Sequence, residues 1–168
     1  MNKVVSIEEA FIECEDICRR ASSTFYASFS ALSHEKRRAV HAVYALCRYL
    51  DDIADGDTHP VVEESDRLNQ LVDERDKLLK SIHQTSMNND NREHRIRLMA
   101  LVDAKERLTR LYEGDETATQ GEPIFVAMYE VFKQFPIRLN DLTTIIEGME
   151  DDCLLYTSDA ADEERGGG

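Results

Sequence analysis

The stretch from Val40 to Asp55 constrains the fold of this chain most strongly, because it has the period of a long amphipathic helix. The pattern predicts a helix that begins after Ser33, packs along one apolar stripe and is stopped by Gly56. The predicted packing stripe consists of Val40, Val43, Cys47, Leu50 and Ala54. Beside it lies a second stripe of polar, aromatic and charged side chains, consisting of Arg37, His41, Tyr44, Arg48, Asp51 and Asp55.

Three carboxylates stand at the end of this predicted helix. Asp51 and Asp55 are four residues apart and share one face, with Asp52 beside them. Like charges at that spacing repel each other, and anions at a helix C-terminus oppose the helix dipole. A bound divalent cation would remove both costs, and Mg²⁺ prefers carboxylate oxygens. The spacing alone favours a Mg²⁺ site at Asp51, Asp52 and Asp55 no more than it favours a solvated acidic helix end.

The composition is typical of an all-helical protein of one domain, since the 168 residues include no Trp, 7 Gly and 3 Pro. A formal net charge of −14 argues against nucleic acid as a partner. The four cysteines form no Cys-x-x-Cys pair and the N-terminus is polar, so we expect a reduced, cytoplasmic chain. No apolar run is long enough to cross a bilayer, which leaves peripheral membrane association and the oligomeric state open.

Helical periodicity recurs along the rest of the chain. Polar loops are predicted over residues 84–91 and 115–121, and the hydroxyl-rich run 22–26 is predicted to break the first helix pattern. The other predicted helices run from the capping box Ser6-x-x-Glu9 to about Arg20, from Val61 to about Lys80, from Arg95 to Tyr112, from Pro123 to about Phe135, and onward from a cap at Asn140.

Several polar and aromatic side chains are candidates for a site, each with a plainer alternative. Asp152 continues an apolar helix face, so it faces a solvent-filled cavity or is held by a partner. The hydroxyls of residues 22–24 could donate to phosphate oxygens, although helix termination is the somewhat better explanation from composition. Phe25, Phe29 and Tyr44 could line an apolar cavity, although core packing is favoured by their spacing. The five histidines lack metal-ligand spacing and are expected to be surface or satisfied groups.

Residues 153–168 differ in kind from the rest of the chain. They have no amphipathic period that continues the preceding helix, and the run 153–162 resembles the translation of a transposon-based sequencing adapter. We therefore expect residues 1–152 to be the N-terminal part of a longer domain and residues 153–168 to be a non-native tail.

The region from Ala21 to Asp55 resembles the N-terminal region of the squalene/phytoene synthase family, particularly its bacterial dehydrosqualene and phytoene synthases. The Tyr-Ala-x-Cys-Arg run that precedes the aspartates is far more specific than the aspartates alone. A second match ends in Gly-Met-x-x-Asp. The segments that carry the resemblance are 22–26, 38–48, 51–55, 135–137 and 146–152, together with Leu142.

The resemblance implies an all-α isoprenoid synthase helical bundle, of which this chain holds the N-terminal part. It implies head-to-head (1'-1) condensation of two farnesyl or geranylgeranyl diphosphates, through a cyclopropylcarbinyl diphosphate, to dehydrosqualene, squalene or phytoene in carotenoid and terpenoid biosynthesis. Mg²⁺ would bridge the diphosphate to Asp51 and Asp55, with Asp52 adjacent. The catalytic residues would be Tyr44, Arg48, Asp51 and Asp55, and the substrate-binding residues Ser22, Ser23, Thr24, Phe25, Arg48 and Asp152.

The sequence departs from the family pattern in one respect. Family members carry a second Asp-rich motif on a later helix, and nothing after Asp152 supplies it. We therefore expect this 168-residue chain to be inactive by itself and poorly stable, with an exposed apolar lining. Two alternatives stay open: a chain-elongating prenyl diphosphate synthase, which also uses Asp-Asp-x-x-Asp, and a non-enzymatic acidic helical interaction module. The Tyr-Ala-x-Cys-Arg context argues against the first of these.

Overall fold

The computed structural model describes residues 4–56, 69–74, 77 and 89–165, and all regular secondary structure in these ranges is helical. The predicted all-α class is therefore confirmed. Residues 69–74 and 77 are helical, and short 3₁₀ turns lie at Phe29–Ala31 and Glu116–Thr119. The main helices are α1 (Ile7–Ala21), α2 (Ser23–Ser28), α3 (His34–Asp55), α4 (Asn89–Tyr112), α5 (Pro123–Gln134) and α6 (Leu139–Arg165).

The first helix begins at the predicted capping box. The hydroxyl of Ser6 accepts from the backbone N–H of Glu9 at 3.2 Å, and the Glu9 carboxylate accepts from the backbone N–H of Ser6 at 3.0 Å. These bonds satisfy donors that a helix N-terminus leaves without intrahelical partners. One face of α1 is buried and packs against α5, and the buried residues are Ala10, Phe11, Cys14 and Cys18.

A single residue separates α1 from α2. The backbone N–H of Ser22 donates to the carbonyl of Cys18 at 3.1 Å and so closes α1. Its hydroxyl accepts from the backbone N–H of Phe25 at 3.3 Å and so caps α2. The predicted break over residues 22–26 is therefore too long, because Ser23 and the residues after it already belong to α2. A serine with extended φ and ψ can serve both helix ends at once.

The predicted bounds of α3 are confirmed, but its predicted packing stripe is wrong. Of that stripe Leu50 is buried, whereas the other four residues are half-buried. The helix is apolar on several sides between residues 39 and 47, so its period does not single out one face. The fully or almost fully buried residues are Ala39, His41, Ala42, Ala45, Leu46, Tyr49, Leu50 and Ile53.

One other predicted boundary differs from the structure. The predicted loop 84–91 is wrong at its end, because α4 begins at Asn89; its residues 84–88 lie outside the described ranges. The predicted helix 61–80 is helical where it is described, at 69–74 and 77, and its other residues lie outside those ranges.

The last helix differs from the prediction at both ends. It begins at Leu139, one residue before the predicted cap at Asn140. Its backbone stays helical to Arg165, so the change in sequence pattern at Cys153 does not end the helix. The non-native origin of residues 153–168 stays a prediction.

The chain forms two compact units. The first comprises Met1–Tyr49 and Glu106–Leu142, and the second Leu50–Lys105 and Thr143–Gly168. Across the described parts of both, no helix has the length and apolar character required to cross a bilayer. The core of the first unit contains Leu46, Leu108, Leu111, Phe125, Met128 and Val131, and that of the second Leu50, Ile53, Val72, Leu101 and Ile146.

A buried arginine fastens the turn that precedes α5 in the first unit. Arg107 is 3% exposed, and its guanidinium donates to the carbonyls of Ala118 at 2.9 Å and Thr119 at 2.8 Å. It also pairs with Glu122 at 3.1 Å and lies 3.7 Å from the centroid of the Phe125 ring. A buried charge is tolerated when its donors are satisfied in this way. The fastened turn sets the start of α5.

Candidate functional site

Two of the predicted metal ligands line a cavity in the second unit. Asp51 and Asp55 project from the last turns of α3 into a cavity of about 480 Å³, and Asp152 from α6 lines the same cavity. We call it the aspartate cavity. The structure therefore brings together three carboxylates from two distant parts of the sequence. Asp52 is half-buried and is not among the lining residues.

The aspartate cavity is not a ready-made metal centre. Among the side chains that the structure describes, no three His, Cys, Asp or Glu residues are close enough to hold an ion by themselves. Mg²⁺ in phosphate-handling sites is commonly held by one or two carboxylates, with waters and substrate phosphates completing its shell. Asp51 and Asp55 provide oxygen donors of that kind, so the residues present fit a Mg²⁺ ion that arrives with a phosphate ligand.

Arg97 contributes a positive charge to the aspartate cavity, and the sequence did not single it out. Its guanidinium lies against Gly56, so closely that a Cβ at that position would overlap it. Gly56 follows Asp55 at the end of α3, where a cation offsets the charge of the carboxylates and of the helix dipole. Arg97 and Gly56 are far apart in sequence, so no local pattern predicts their contact.

Cys153 is a further lining residue of the aspartate cavity, and charged residues of the cavity act on its thiol. Cys153 lines the cavity and is buried, and this burial raises the pKa of its thiol. Asp152 and Asp55 raise the pKa further, whereas Arg97 lowers it. The thiol therefore stays protonated at neutral pH and is a poor metal ligand or nucleophile.

A lysine ties the helix that carries Asp152 to its neighbour in the second unit. Lys105 of α4 pairs with Glu147 of α6 at 2.8 Å, and Glu150 lies at 4.0 Å. The hydrogen bond that Lys105 donates to Glu147 raises the pKa of Lys105, so this cation persists at neutral pH. The tie joins α4, which carries Arg97, to α6, which carries Asp152.

The first unit contains a second, apolar cavity of about 560 Å³. Tyr44 and Cys47 of α3 line it, together with the rings of Phe29 and Phe135. Its polar groups are few, so it suits a hydrocarbon better than a charged ligand. The lining is completed by Leu32, Lys36, Ala39, Val40, Val43 and Ile137, and we call it the apolar cavity.

The predicted hydroxyl and aromatic residues lie together on α2 and the facing part of α3. Phe25 is 57% exposed, and its ring centroid is 6.1 Å from that of Tyr44. Ser23 and Thr24 are exposed in the first turn of α2, and the Ser22 hydroxyl caps that turn. The exposure of Phe25 argues against the alternative that it is an ordinary core aromatic.

The predicted site residues are thus divided between the two units. Arg48 is exposed on α3 and belongs to the first unit. The first unit holds Ser22, Ser23, Thr24, Phe25, Tyr44 and Arg48, and the second holds Asp51, Asp52, Asp55 and Asp152.

His41 does not match the prediction that the histidines are surface or satisfied groups. It is 2% exposed, and its Nε2 atom has no hydrogen-bond partner within the described part of the chain. The ring stacks on Tyr26, with ring centroids 5.6 Å apart, and meets the edge of Phe29. Burial lowers the pKa of His41, so the imidazole is neutral at physiological pH.

The family model and the curated relatives that match this chain indicate the same family. The family model for squalene/phytoene synthase matches residues 18–164. The phytoene synthases of Mycobacterium bovis and Mycobacterium tuberculosis are each 36% identical over 145 residues, which is 86% of this chain. The 15-cis-phytoene synthase of Synechococcus elongatus is 26% identical over 152 residues, or 90% of this chain. No solved structure matches the chain significantly.

The chain is much shorter than these relatives. It spans 35% of the length of the mycobacterial proteins and 37% of the length of the Synechococcus protein. The match at residues 18–164 includes all ten predicted site residues, from Ser22 to Asp152.

Proposed function

Because the chain belongs to the squalene/phytoene synthase family, we propose that it carries the N-terminal part of a Mg²⁺-dependent prenyltransferase. The reaction would be head-to-head (1'-1) condensation of two farnesyl or geranylgeranyl diphosphates to dehydrosqualene, squalene or phytoene. The observation that carries this proposal is the aspartate cavity, where Asp51 and Asp55 meet Asp152. These carboxylates come from the two segments whose sequence resembles the family.

The chemistry of diphosphate departure explains the charged groups. Ionisation of an allylic diphosphate places negative charge on the leaving group, and that charge must be stabilised. Mg²⁺ would supply this stabilisation, with Asp51 and Asp55 as its protein ligands and Asp52 beside them. Arg48 would contact a diphosphate, since a guanidinium forms paired hydrogen bonds with phosphate oxygens. Asp152 lines the cavity and would orient the metal-bound diphosphate.

The hydroxyls of α2 have the right chemistry to assist. The Ser22 oxygen already accepts a hydrogen bond from the N–H of Phe25. Its own O–H group can still donate to a phosphate oxygen. Ser23 and Thr24, which are exposed in the same turn, would donate in the same manner.

The apolar cavity of the first unit has the lining that a prenyl chain requires. A prenyl chain is a hydrocarbon, and each buried CH₂ group contributes about 0.8 kcal/mol. The allylic cation left by ionisation needs surroundings that exclude water and present aromatic faces. Tyr44 lines this cavity and Phe25 is beside Tyr44, so both would act on the reacting chain.

A binding titration tests the proposal on the chain as it exists. We expect a non-hydrolysable prenyl thiodiphosphate to bind only when Mg²⁺ is present, since the carboxylates otherwise repel it. Asp51→Asn, Asp55→Asn and Asp152→Asn should each weaken this binding about tenfold or more. Asp151→Asn is the matched control, because Asp151 is exposed beside Asp152 but does not line the cavity. Equal losses in Asp151→Asn and Asp152→Asn would contradict the assignment.

A product assay separates the proposed reaction from its alternatives. We propose that the 168 residues alone form no hydrocarbon from farnesyl or geranylgeranyl diphosphate, because they contain one Asp-rich run where the family pattern requires two. A symmetric C30 or C40 hydrocarbon from the purified chain would overturn the proposed inactivity. A longer prenyl diphosphate would instead favour the chain-elongating alternative.

A further inference from the structure

Arg97 is placed where it could meet an anion in the aspartate cavity. It lines the cavity together with Asp51, Asp55 and Asp152. We propose that Arg97 binds the diphosphate directly, so that this cavity has a carboxylate side for the metal and a guanidinium side for phosphate. This inference rests on the proposed function and adds a binding residue to it.

The first argument comes from the position of the guanidinium. It lies against Gly56, the residue that follows Asp55, and its charge acts on the thiol of Cys153. Both neighbours belong to the end of the cavity where Asp55 and Asp152 also act on that thiol. The positive charge of Arg97 therefore lines the same cavity as these carboxylates and acts on the same thiol.

The second argument is that the hydrogen-bonding capacity of Arg97 is little used. Within the described residues its ion pair is with Glu93, at 3.8 Å, and the Glu93 side chain is 72% exposed. A pair of that length at the surface contributes little. By contrast, Arg107 uses its guanidinium on two carbonyls and a carboxylate. The planar donors of Arg97 thus remain suited to a bidentate phosphate contact.

The third argument separates a phosphate ligand from a simple counter-ion. A counter-ion for the cavity would be expected in contact with Asp55 or Asp152. In the described structure the ion pair of Arg97 is instead with Glu93, outside that set of carboxylates. The side chain of Arg97 is 29% exposed, so a small anion can reach the guanidinium from solvent.

Calorimetric titration with inorganic pyrophosphate tests the inference without any need for turnover. We expect the wild-type chain to bind pyrophosphate in the presence of Mg²⁺, and Arg97→Gln to weaken this affinity about tenfold or more. Arg97→Lys should fall between the two, because an ammonium cannot form the bidentate contact. The affinity for Mg²⁺ alone should not fall in either variant. Arg138→Gln is the control, since its side chain is 82% exposed and pairs with Asp141 in the other unit.

A pair of glycines gives an independent test in which Arg97 itself is not substituted. Gly56 and Gly114 both have positive φ, at +76° and +95°, so alanine strains the backbone at either position. Only at Gly56 would the added Cβ displace the Arg97 guanidinium, since Gly114 faces open space. We expect Gly56→Ala to weaken pyrophosphate binding more than Gly114→Ala does.

The outcomes distinguish this inference from the proposed function. Unchanged pyrophosphate affinity in Arg97→Gln, together with a loss in Asp51→Asn, would overturn the role of Arg97 alone. Tighter Mg²⁺ binding in Arg97→Gln without a loss of pyrophosphate affinity would identify Arg97 as a counter-ion of the carboxylates. That result would also overturn its proposed role in diphosphate binding. Absence of Mg²⁺-pyrophosphate binding in the wild-type chain would overturn both proposals.

Discussion

The ring of Tyr26 stacks on the imidazole of His41, with centroids 5.6 Å apart and planes inclined by 16°. The Tyr26 hydroxyl donates to the carboxylate of Glu15 at 2.8 Å, so this one side chain joins α1, α2 and α3. Helix α2 has no buried residue of its own, and its position therefore depends on contacts of this kind. The proposed phosphate hydroxyls and Phe25 are carried by this helix.

Lower pH should weaken the first unit through His41. Burial is the largest effect on the pKa of His41 and lowers it. Glu15 raises the pKa and Arg37 lowers it, and the net result is a pKa below the ordinary value of 6.5. A lowered pKa means that the unfolded chain binds the proton more readily than the folded chain. The contribution of neutral His41 to stability is therefore complete above pH 6.5 and declines as the pH falls below that value.

Thermal melting between pH 7.5 and 5.5 (roughly one unit either side of the ordinary histidine pKa) measures this dependence. His41→Phe keeps an aromatic ring against Tyr26 and Phe29 but cannot titrate, so its melting temperature should fall less over that range. His34→Gln, at an exposed position at the start of α3, is the control and should behave as the wild type does. An unaltered pH dependence in His41→Phe would contradict the assignment.

Loss of the Tyr26 hydroxyl should loosen α2. Tyr26→Phe removes the bond to Glu15 and keeps the ring stack, so we expect the melting temperature to fall by a few degrees. Glu15→Gln removes the charge but keeps an acceptor, and it should cost less. Amide hydrogen exchange over 23–28 should rise in Tyr26→Phe more than exchange in α5 does. Uniform exchange changes in both helices would show that Tyr26 does not act locally on α2.

Even the conservative substitution of Arg107 by lysine should destabilise the chain. An ammonium group cannot reproduce the three directed contacts to Ala118, Thr119 and Glu122 and would leave polar groups buried without partners. We expect Arg107→Lys to lower the free energy of unfolding by about 2–4 kcal/mol. Urea denaturation measures the change. The matched control is Arg110→Lys, because Arg110 pairs with Asp115 at the surface. This substitution should change the free energy of unfolding far less.

Filling the apolar cavity should separate chain binding from phosphate binding. Val43 lines this cavity, so Val43→Phe places a ring in the space proposed for the prenyl chain. We expect the affinity for a prenyl thiodiphosphate in Mg²⁺ to fall about tenfold or more, because several CH₂ groups lose their burial. The affinity for pyrophosphate should be unchanged. Val102→Phe, at a position 40% exposed, is the control for surface hydrophobicity. Equal losses for both ligands would argue against this use of the cavity.

The features that the sequence predicts correctly are mostly those that depend on residues close to one another in the chain. The capping box at Ser6 and Glu9, the full extent of α3 and the stop at Gly56 depend on contacts within a few residues. The family-like runs also placed Asp152 with the aspartates of α3, as the structure has it. The capping box and the bounds of α3 follow from local propensity and spacing, whereas the placement of Asp152 follows from the family resemblance.

The remaining features depend on residues that are distant in sequence. The contact between Arg97 and Gly56 joins α4 to the end of α3, and no spacing rule anticipates that contact. The helical period assigns His41 to a polar stripe, yet Tyr26 and Phe29 cover it. The predicted packing face of α3 is wrong because the fully buried positions include small residues such as Ala42 and Ala45, which the prediction passes over in favour of larger apolar side chains.

The contacts of Arg107 affect which substitutions the turn before α5 can accept among homologues. Two of the hydrogen-bond acceptors of Arg107 are main-chain carbonyls, which every amino acid supplies. A substitution at an exposed position of the turn such as Glu116 therefore leaves these two hydrogen bonds intact as long as the backbone path is kept. Homologues should accordingly keep the arginine while this position varies, and a library randomised at Glu116 should retain most folded members.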